Sequence, residues 1–322
     1  MILITGAAGF IGSALAAYLN EKGHTDLVLV DAFDVPQKRR NWDHRHYRFA
    51  VDREQLFDWL SAYGGEIKAI FHLGARTDTT LKNDSIFETL NLKYSQRLWR
   101  FAAERGVPFF YASSAATYGD GKMGFSDDES LLPLLTPLNP YARSKHAFDL
   151  WAISQTHAPP RWAGFKFFNV FGPNEYHKGR MASVAWHGYN QIVRSGRMRL
   201  FRSHRPEYAD GEQKRDFIYV KDVVRVLYFF FHEKAPSGIY NLGTGEARSF
   251  LELAKALYAA LDRPMDIEFI DIPLDIRESY QYFTEADIKK LRRIGYTLPF
   301  TPLDEAIRDY VHSFLLPEPK TW

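Results

Sequence analysis

Tyr141 and Lys145 stand four residues apart behind Asn139-Pro140 in the stretch Asn139-Pro140-Tyr141-Ala142-Arg143-Ser144-Lys145. On a helix that spacing puts both side chains on one face. Proline is tolerated in a first helical turn, where its missing N–H costs nothing, so the stretch reads as a helix start. A free phenol has a pKa of about 10 and is a poor base near neutrality. A nearby ammonium favours the phenolate. The spacing therefore predicts a pair that passes a proton to or from a substrate hydroxyl while a hydride moves elsewhere. Alone, the pattern also fits an ordinary surface helix. Two other features give it weight: Ser113-Ser114 behind an apolar strand pattern, and a glycine-rich turn near the start of the chain.

That turn is Thr5-Gly6-Ala7-Ala8-Gly9-Phe10-Ile11-Gly12, between a buried-strand pattern at 2–5 and the apolar helix pattern of Ile11, Leu15 and Leu19. Glycines there permit a tight turn and close backbone approach, and the free N–H groups of the helix start suit a pyrophosphate. The spacing G-x-x-G-x-x-G differs from the standard dinucleotide fingerprint, but its context predicts a dinucleotide site. A second strand at 27–30 ends in Asp31, 19 residues after Gly12. An acid there would bond an adenosine ribose and favour NAD. Lys38-Arg39-Arg40 follow closely and would hold a 2′-phosphate, favouring NADP; residue chemistry leaves the two open.

Further strands are expected at 69–71, ending in His72-Leu73-Gly74-Ala75, and at 108–111, delivering Ala112-Ser113-Ser114. Between them a helix at 84–105 carries Asn91, read equally as a partner for backbone near the cofactor or as an exposed polar residue. The Gly/Asp/Pro-rich stretch up to Leu138 suits a lid. A strand at 162–168 precedes a break at 169–173, where a second lobe begins. His177-Lys178-Gly179-Arg180 lies in this break, and a helix at 182–195 carries His187. Lys178 would need burial or a positive neighbour, such as Arg180 or an oxidised nicotinamide, to act as a base near neutrality. Residues 194–215 carry a local surplus of arginine and lysine that suits a diphosphate. A strand and helix from 216, a strand at 239–242, a helix at 249–261, a small cap at 267–300 and a last helix at 302–315 complete the pattern.

This strand–helix alternation predicts an α/β fold: a Rossmann-type doubly wound parallel sheet with a smaller C-terminal α/β substrate-binding lobe. The expected division is 1–172 plus 216–262 for the dinucleotide-binding domain and 173–215 plus 263–322 for the lobe. Gly6, Gly74 and Ser114 all follow strand ends, where such sheets bind ligands.

Composition narrows the function classes. The 322 residues are 46% hydrophobic with a net charge of only +2, so nothing global points to nucleic acid or a membrane surface. There is no cysteine, which excludes disulfides, zinc thiolate sites and cysteine nucleophiles. No metal site, secretory signal or transmembrane run is expected, and a cytoplasmic enzyme is the default.

Taken together, the glycine turn, His72-Leu73-Gly74-Ala75, Ser113-Ser114-Ala115-Ala116-Thr117-Tyr118-Gly119, the Tyr141/Lys145 pair and Arg215-Asp216-Phe217-Ile218-Tyr219-Val220-Lys221-Asp222 resemble the extended short-chain dehydrogenase/reductase superfamily. The resemblance implies a nucleotide-sugar epimerase or dehydratase with Ser114, Tyr141 and Lys145 as its catalytic trio. A dehydratase would need a carboxylate after the serine pair, where this chain has Ala115-Ala116-Thr117. A narrower set, including 111–119, 164–173, 177–184, 214–217 and 280–284, resembles the ADP-glycero-manno-heptose 6-epimerases over nearly the whole chain. What this implies is conversion of ADP-D-glycero-D-manno-heptose to the L-glycero form through a transient 6-keto sugar, for the lipopolysaccharide inner core. One NADP per subunit would stay bound and unconsumed, in a homo-oligomer, a homopentamer by resemblance. Lys178 falls where the family has its second proton-transfer residue. Cofactor contacts fall on Gly6, Gly9, Phe10, Ile11 and Gly12, on Asp31, Lys38 and Arg53, on Leu73, Gly74, Ala75 and Asn91, and on Tyr141, Lys145, Val170 and Lys178. Substrate contacts fall on Ser114, Asn169, Arg180, His187, Phe201, Arg202, Ser203, His204, Arg215 and Tyr280. Two features depart from the family pattern, both where the nucleotide sugar would bind: Arg180 replaces a small residue, and the loop 202–213 is longer. A UDP-sugar 4-epimerase is the alternative on the same fold, and a non-catalytic NADP-binding regulator is the alternative of another class.

Overall fold

In the computed structural model the described residues are 1–78, 81, 83–277, 280–316 and 318–322. Seven parallel strands form the central sheet: β1 (Ile2–Thr5), β2 (Leu27–Asp31), β3 (Phe49–Asp52), β4 (Ala69–His72), β5 (Phe109–Ser114), β6 (Trp162–Phe167) and, after three strands that lie elsewhere, β10 (Gly238–Leu242). Their spatial order is β10-β6-β5-β4-β1-β2-β3. The chain winds outward from β1 to β3, then crosses back to β4 on the other side of β1. Strand order therefore reverses between β1 and β4, and a crevice opens beyond their C-terminal ends.

Strands buried on both faces must be apolar throughout, and β1, β2 and β4 are buried at every position. Alternate residues feed two cores, as the pleat requires. Ile4, Leu29, Phe71 and Phe110 pack with the helices α1 (Phe10–Glu21) and α7 (Val220–His232). Leu3, Val28, Ile70 and Phe109 pack on the opposite face. There they meet α2 (Leu56–Tyr63), α4 (Tyr94–Arg105) and α5 (Pro140–Ser154).

The expected 84–105 helix is one helical path in three parts: α3 (Asp84–Phe87), a wider π-type turn (Glu88–Lys93) and α4. The strand expected from residue 216 differs more. It is β9 (Lys214–Tyr219), and it leaves the main sheet to join β7 (Asn169–Phe171) and β11 (Ala247–Ser249) in a separate three-stranded sheet. The seventh position of the main sheet goes to β10. Strand β3 and helix α2, which the pattern reading did not anticipate, fill the other edge; the burial of β3 is broken, so its apolar signal is weak. Outside the main sheet, β8 (Met198–Phe201) pairs in parallel with β12 (Ile267–Ile270). Helices α6 (Val184–Ser195) and α8 (Phe250–Ala260), with the short α9 (Leu274–Arg277), α10 (Lys289–Arg293) and α11 (Leu303–Asp309), complete this end. Among the described residues, no helix is long and apolar enough to cross a membrane.

Candidate active site

The glycine turn and the loop after β4 meet backbone to backbone at Gly6 and Gly74. Gly6 has φ +70°, and a Cβ added to it would lie 2.7 Å from the Gly74 Cα. A Cβ on Gly74 would lie 2.9 Å from the Gly6 nitrogen, so both glycines are required for the approach. Gly9 is the N-cap of α1 and has no side chain to cap it, which leaves the first helical N–H groups free for an anion. A cavity of about 440 Å³ opens there. Gly6, Gly9, Phe10, Ile11, Gly12, Asp31, Lys38, Arg53, Leu73, Gly74, Ala75 and Lys178 all line it. Uncapped amides, a turn of glycines and alanines and a carboxylate at the end of β2 fit a dinucleotide.

Asp31 and Lys38, read from sequence as pulling towards different cofactors, form one unit. The Lys38 ammonium lies 2.9 Å from Asp31 Oδ1, and Asp31 Oδ2 accepts the Ala8 N–H at 2.9 Å. The rest of the basic run turns elsewhere: Arg39 pairs with Asp43, and Arg40 donates to the Pro319 carbonyl.

A directed hydrogen-bond chain lies beneath this cavity. Ser95 Oγ donates to the Asn91 carbonyl and so accepts from His72 Nε2 at 2.8 Å. His72 Nδ1 then accepts from the Thr5 hydroxyl at 2.7 Å, and Thr5 Oγ1 accepts the Gly74 N–H at 3.0 Å. Burial pushes the His72 pKa down to about 3, which keeps the ring neutral as this chain requires. Asn91 lines neither cavity and is not exposed. It is buried at the π-type turn, accepts the Arg76 N–H at 2.8 Å, and donates to the Arg76 carbonyl and to Ser144 Oγ, each at 3.0 Å. It thus holds the cavity wall from behind and ties it to α5.

A second cavity of about 390 Å³ adjoins the first, sharing Phe10, Ile11, Leu73, Ala75 and Lys178. Ser114, Tyr141, Lys145, Asn169 and Val170 line it. Asn139 caps α5 by accepting the Ala142 N–H at 2.9 Å, with Pro140 in the first turn as expected. Tyr141 and Ser114 face the same cavity. Lys145 donates to the Ala112 carbonyl at 2.8 Å, and burial lowers its pKa to about 8 against the opposing pull of Asp149. The expected help from Lys145 to the Tyr141 phenolate is not what governs Tyr141. Its pKa is raised, by burial first; the nearby Ser114 hydroxyl pulls it down and Asp149 adds to the rise. The ammonium is tethered to the strand carbonyl, so desolvation wins.

Lys178 sits in the turn Tyr176–Met181, its ammonium 5.3 Å over the Phe10 ring. Its pKa is lowered by burial, with Glu175 opposing. Arg180 is not the cause: its side chain is exposed and lies 3.4 Å from Asp78 at the cavity mouth. Glu175 is the post of this turn, fully buried, accepting from the Gly172 N–H at 3.1 Å, Ser183 Oγ at 2.8 Å and the Tyr310 hydroxyl at 3.1 Å. His177, which the residue pattern did not single out, also lines the cofactor cavity; burial takes its pKa to about 4.

The remaining predicted residues gather apart from both cavities. Arg215 is buried, its guanidinium 5.1 Å over the Tyr280 ring and 5.6 Å over Phe250. Phe201 meets Tyr280 edge-on with ring centres 5.7 Å apart. Gln213 holds the Phe201 and Arg202 carbonyls, Asp210 accepts the Ser203 N–H, and Tyr282 accepts the His204 N–H. The result is a shelf of aromatic faces and cations suited to a base and a diphosphate. His187 joins neither group; it approaches the Arg180 carbonyl at 3.4 Å.

Comparison with known proteins gives the family and the fold. The model of the NAD dependent epimerase/dehydratase family matches residues 2–243. The ADP-L-glycero-D-manno-heptose-6-epimerase of Fusobacterium nucleatum is 46% identical, with 99% of each chain covered. The crystal structure of the Helicobacter pylori enzyme of the same name superposes with TM-score 0.80 at 29% identity, covering 96% of this chain and 94% of that one. MoeE5, solved with UDP-glucuronic acid and NAD, has TM-score 0.75 at 26% identity, with 95% of this chain and 96% of that chain covered. The matched residues run from β1 through the end of β10, which is the whole nucleotide sheet, and the chain belongs to the NAD dependent epimerase/dehydratase family, among its ADP-L-glycero-D-manno-heptose-6-epimerases.

Proposed function

We propose that this protein is an ADP-glyceromanno-heptose 6-epimerase. It inverts C6 of ADP-D-glycero-D-manno-heptose through a 6-keto sugar, giving the L-glycero epimer used in the lipopolysaccharide inner core. The observation that carries the reading is that Tyr141 and Lys178, from two separate elements, line one cavity adjoining the nucleotide cleft. A nicotinamide cofactor held by the glycine turn, Asp31 and Lys38 would supply reversible hydride transfer at the sugar carbon. Inversion at a carbinol carbon needs a proton acceptor on one side and a proton donor on the other. Tyr141 serves one epimer and Lys178 the other, while Ser114 donates a hydrogen bond to the reacting oxygen. Burial lowers the Lys178 pKa, towards what a base near neutrality needs.

NADP is the cofactor we favour. Lys38 offsets the Asp31 charge and Arg53 adds a cation at the same cavity, so that end of the cleft suits a 2′-phosphate. The ADP moiety is assigned to the shelf formed from 173–215 and 263–322. We further propose a cytoplasmic homo-oligomer, which sedimentation of the purified protein tests. The function is tested by NMR of the product formed from ADP-D-glycero-D-manno-heptose, with mass spectrometry of the ligand released on denaturation. Formation of the L-glycero epimer and release of NADP are expected. An unchanged heptose, with turnover of a UDP-hexose instead, would establish the 4-epimerase alternative.

A further inference from the structure

One strongly polar group beneath the reaction cavity has no part in the chemistry above. Lys166 and Asp149 form an ion pair at 2.8 Å with both side chains fully buried. Such a pair rarely adds stability over apolar residues of the same size, because desolvating two charges offsets their attraction. Its position is informative. Asp149 follows Lys145 by one helical turn and Tyr141 by two, so all three share one face of α5. Its oxygens collect strand donors: the Tyr111 hydroxyl at 3.0 Å, and Ser113 Oγ at 2.7 Å beside Lys166 Nζ. Ser113 and Lys166 are register partners on β5 and β6. Gly164 on β6 leaves the space that the Tyr111 phenol fills on its way to Asp149; any Cβ there would overlap it. Lys166 also donates to Thr117 Oγ1 at 2.5 Å, and Thr117 donates to the Ser114 carbonyl at 2.8 Å.

Resting on the assignment of Lys145 to the reaction site, we propose that Asp149 is a positioning residue of that site: its carboxylate balances the buried Lys145 ammonium and fixes the Ser113–Ser114 strand end against α5. Lys166 holds the carboxylate in place from the sheet side. The titratable groups packed around the two residues are Tyr141 and His146 on α5, Tyr111 on β5, Lys166 on β6, Tyr118 in the turn after β5 and His72 on β4. The loss of the Lys145 proton caused by burial is opposed by Asp149 and not by these neighbours.

The test follows the Lys145 Cε resonance by NMR across pH in the protein as purified, with ¹³C-labelled lysine and assignment by Lys145→Arg. The wild-type midpoint is expected at about 8. Asp149→Asn should lower it by about one unit or more, a tenfold loss of proton affinity. The alkaline limb of kcat should move with it, with KM for the sugar held within about twofold. The double variant Asp149→Asn/Lys166→Met removes the charge left unpaired in the single variant, and it should show the same fall. Asp149→Glu should restore the midpoint, and Lys166→Met alone should hold or raise it. A wild-type midpoint in either Asn variant, or a fall in Lys166→Met, overturns the proposal. The titration does not depend on the sugar, so a wild type inactive on ADP-heptose would sink the proposed function and leave this inference standing.

Discussion

The cleft between β1 and β4 and the shelf around Arg215 are built from different materials. The cleft is made of backbone: glycines that let two turns meet, uncapped amides at the start of α1, and strand ends that place Ser114 and His72. The shelf is made of side chains drawn from segments far apart in sequence, with Arg215 lying on Tyr280 and Phe250. Backbone sites are set by local sequence and tolerate little change. Side-chain shelves can be altered while the fold and the cofactor stay in place, which is where substrate choice within one family can vary.

If that contrast is right, damage in the two regions should have different signatures. Tyr141→Phe should fold, keep its cofactor and lose roughly 10²–10⁴-fold in epimerisation; near-normal turnover would remove Tyr141 from the chemistry. Arg215→Lys, on the shelf, should raise KM for the nucleotide sugar by roughly 10–100-fold, because an ammonium cannot reproduce a stacked, forked guanidinium. Its cofactor content should be unchanged, and steady-state kinetics with absorbance of the released cofactor read both. Loss of cofactor in that variant would mean the two regions are not separable.

His72 tests the backbone cleft through pH. Its folded pKa of about 3 lies below the ordinary value of about 6.5, so below pH 6.5 the unfolded chain binds the extra proton. The stability it contributes is full above pH 6.5 and is lost as pH falls towards 3. The gap in unfolding free energy between wild type and His72→Gln should therefore narrow across that window in denaturant titrations; a constant gap would contradict a neutral buried ring. The smallest effect is expected of Lys38→Ala, which should weaken NADP by roughly tenfold while leaving NAD nearly unchanged, the loss of one charge-assisted contact. Calorimetry on cofactor-stripped protein decides it, and equal effects on both cofactors would assign Lys38 to Asp31 alone.

The cleft was largely legible in the sequence because its signals are local. Gly6, Gly9 and Gly12 sit between a strand and a helix pattern, and Tyr141 and Lys145 share one turn of spacing; each fell where that pattern put it. Less legible was whatever depends on packing between distant segments. Asn91 looked equally like an exposed helix residue, because nothing local announces the π-type turn that buries it against Arg76. The strand from 214 has the apolar pattern of a central strand, yet it pairs with β7 and β11, since strand partners are chosen by tertiary contacts. Asp149 and Lys166 did leave a trace: one lies a turn beyond Lys145, and the other interrupts the apolar run Gly164-Phe165-Lys166-Phe167-Phe168. A charge inside a buried strand pattern asks for a partner, and here the partner is on α5, the helix of Tyr141 and Lys145.

Tyr141 and Lys178 share one cavity as the two proposed proton-handling groups, and Lys178→Met separates their roles. That substitution keeps the length of the side chain and removes the charge. The measurement compares interconversion of the two ADP-heptose epimers with reduction or oxidation of an analogue whose single orientation needs only Tyr141. The variant is expected to retain the half-reaction and fail to epimerise. Epimerisation at close to the wild-type rate would show that Lys178 is a bystander and that another group completes the pair.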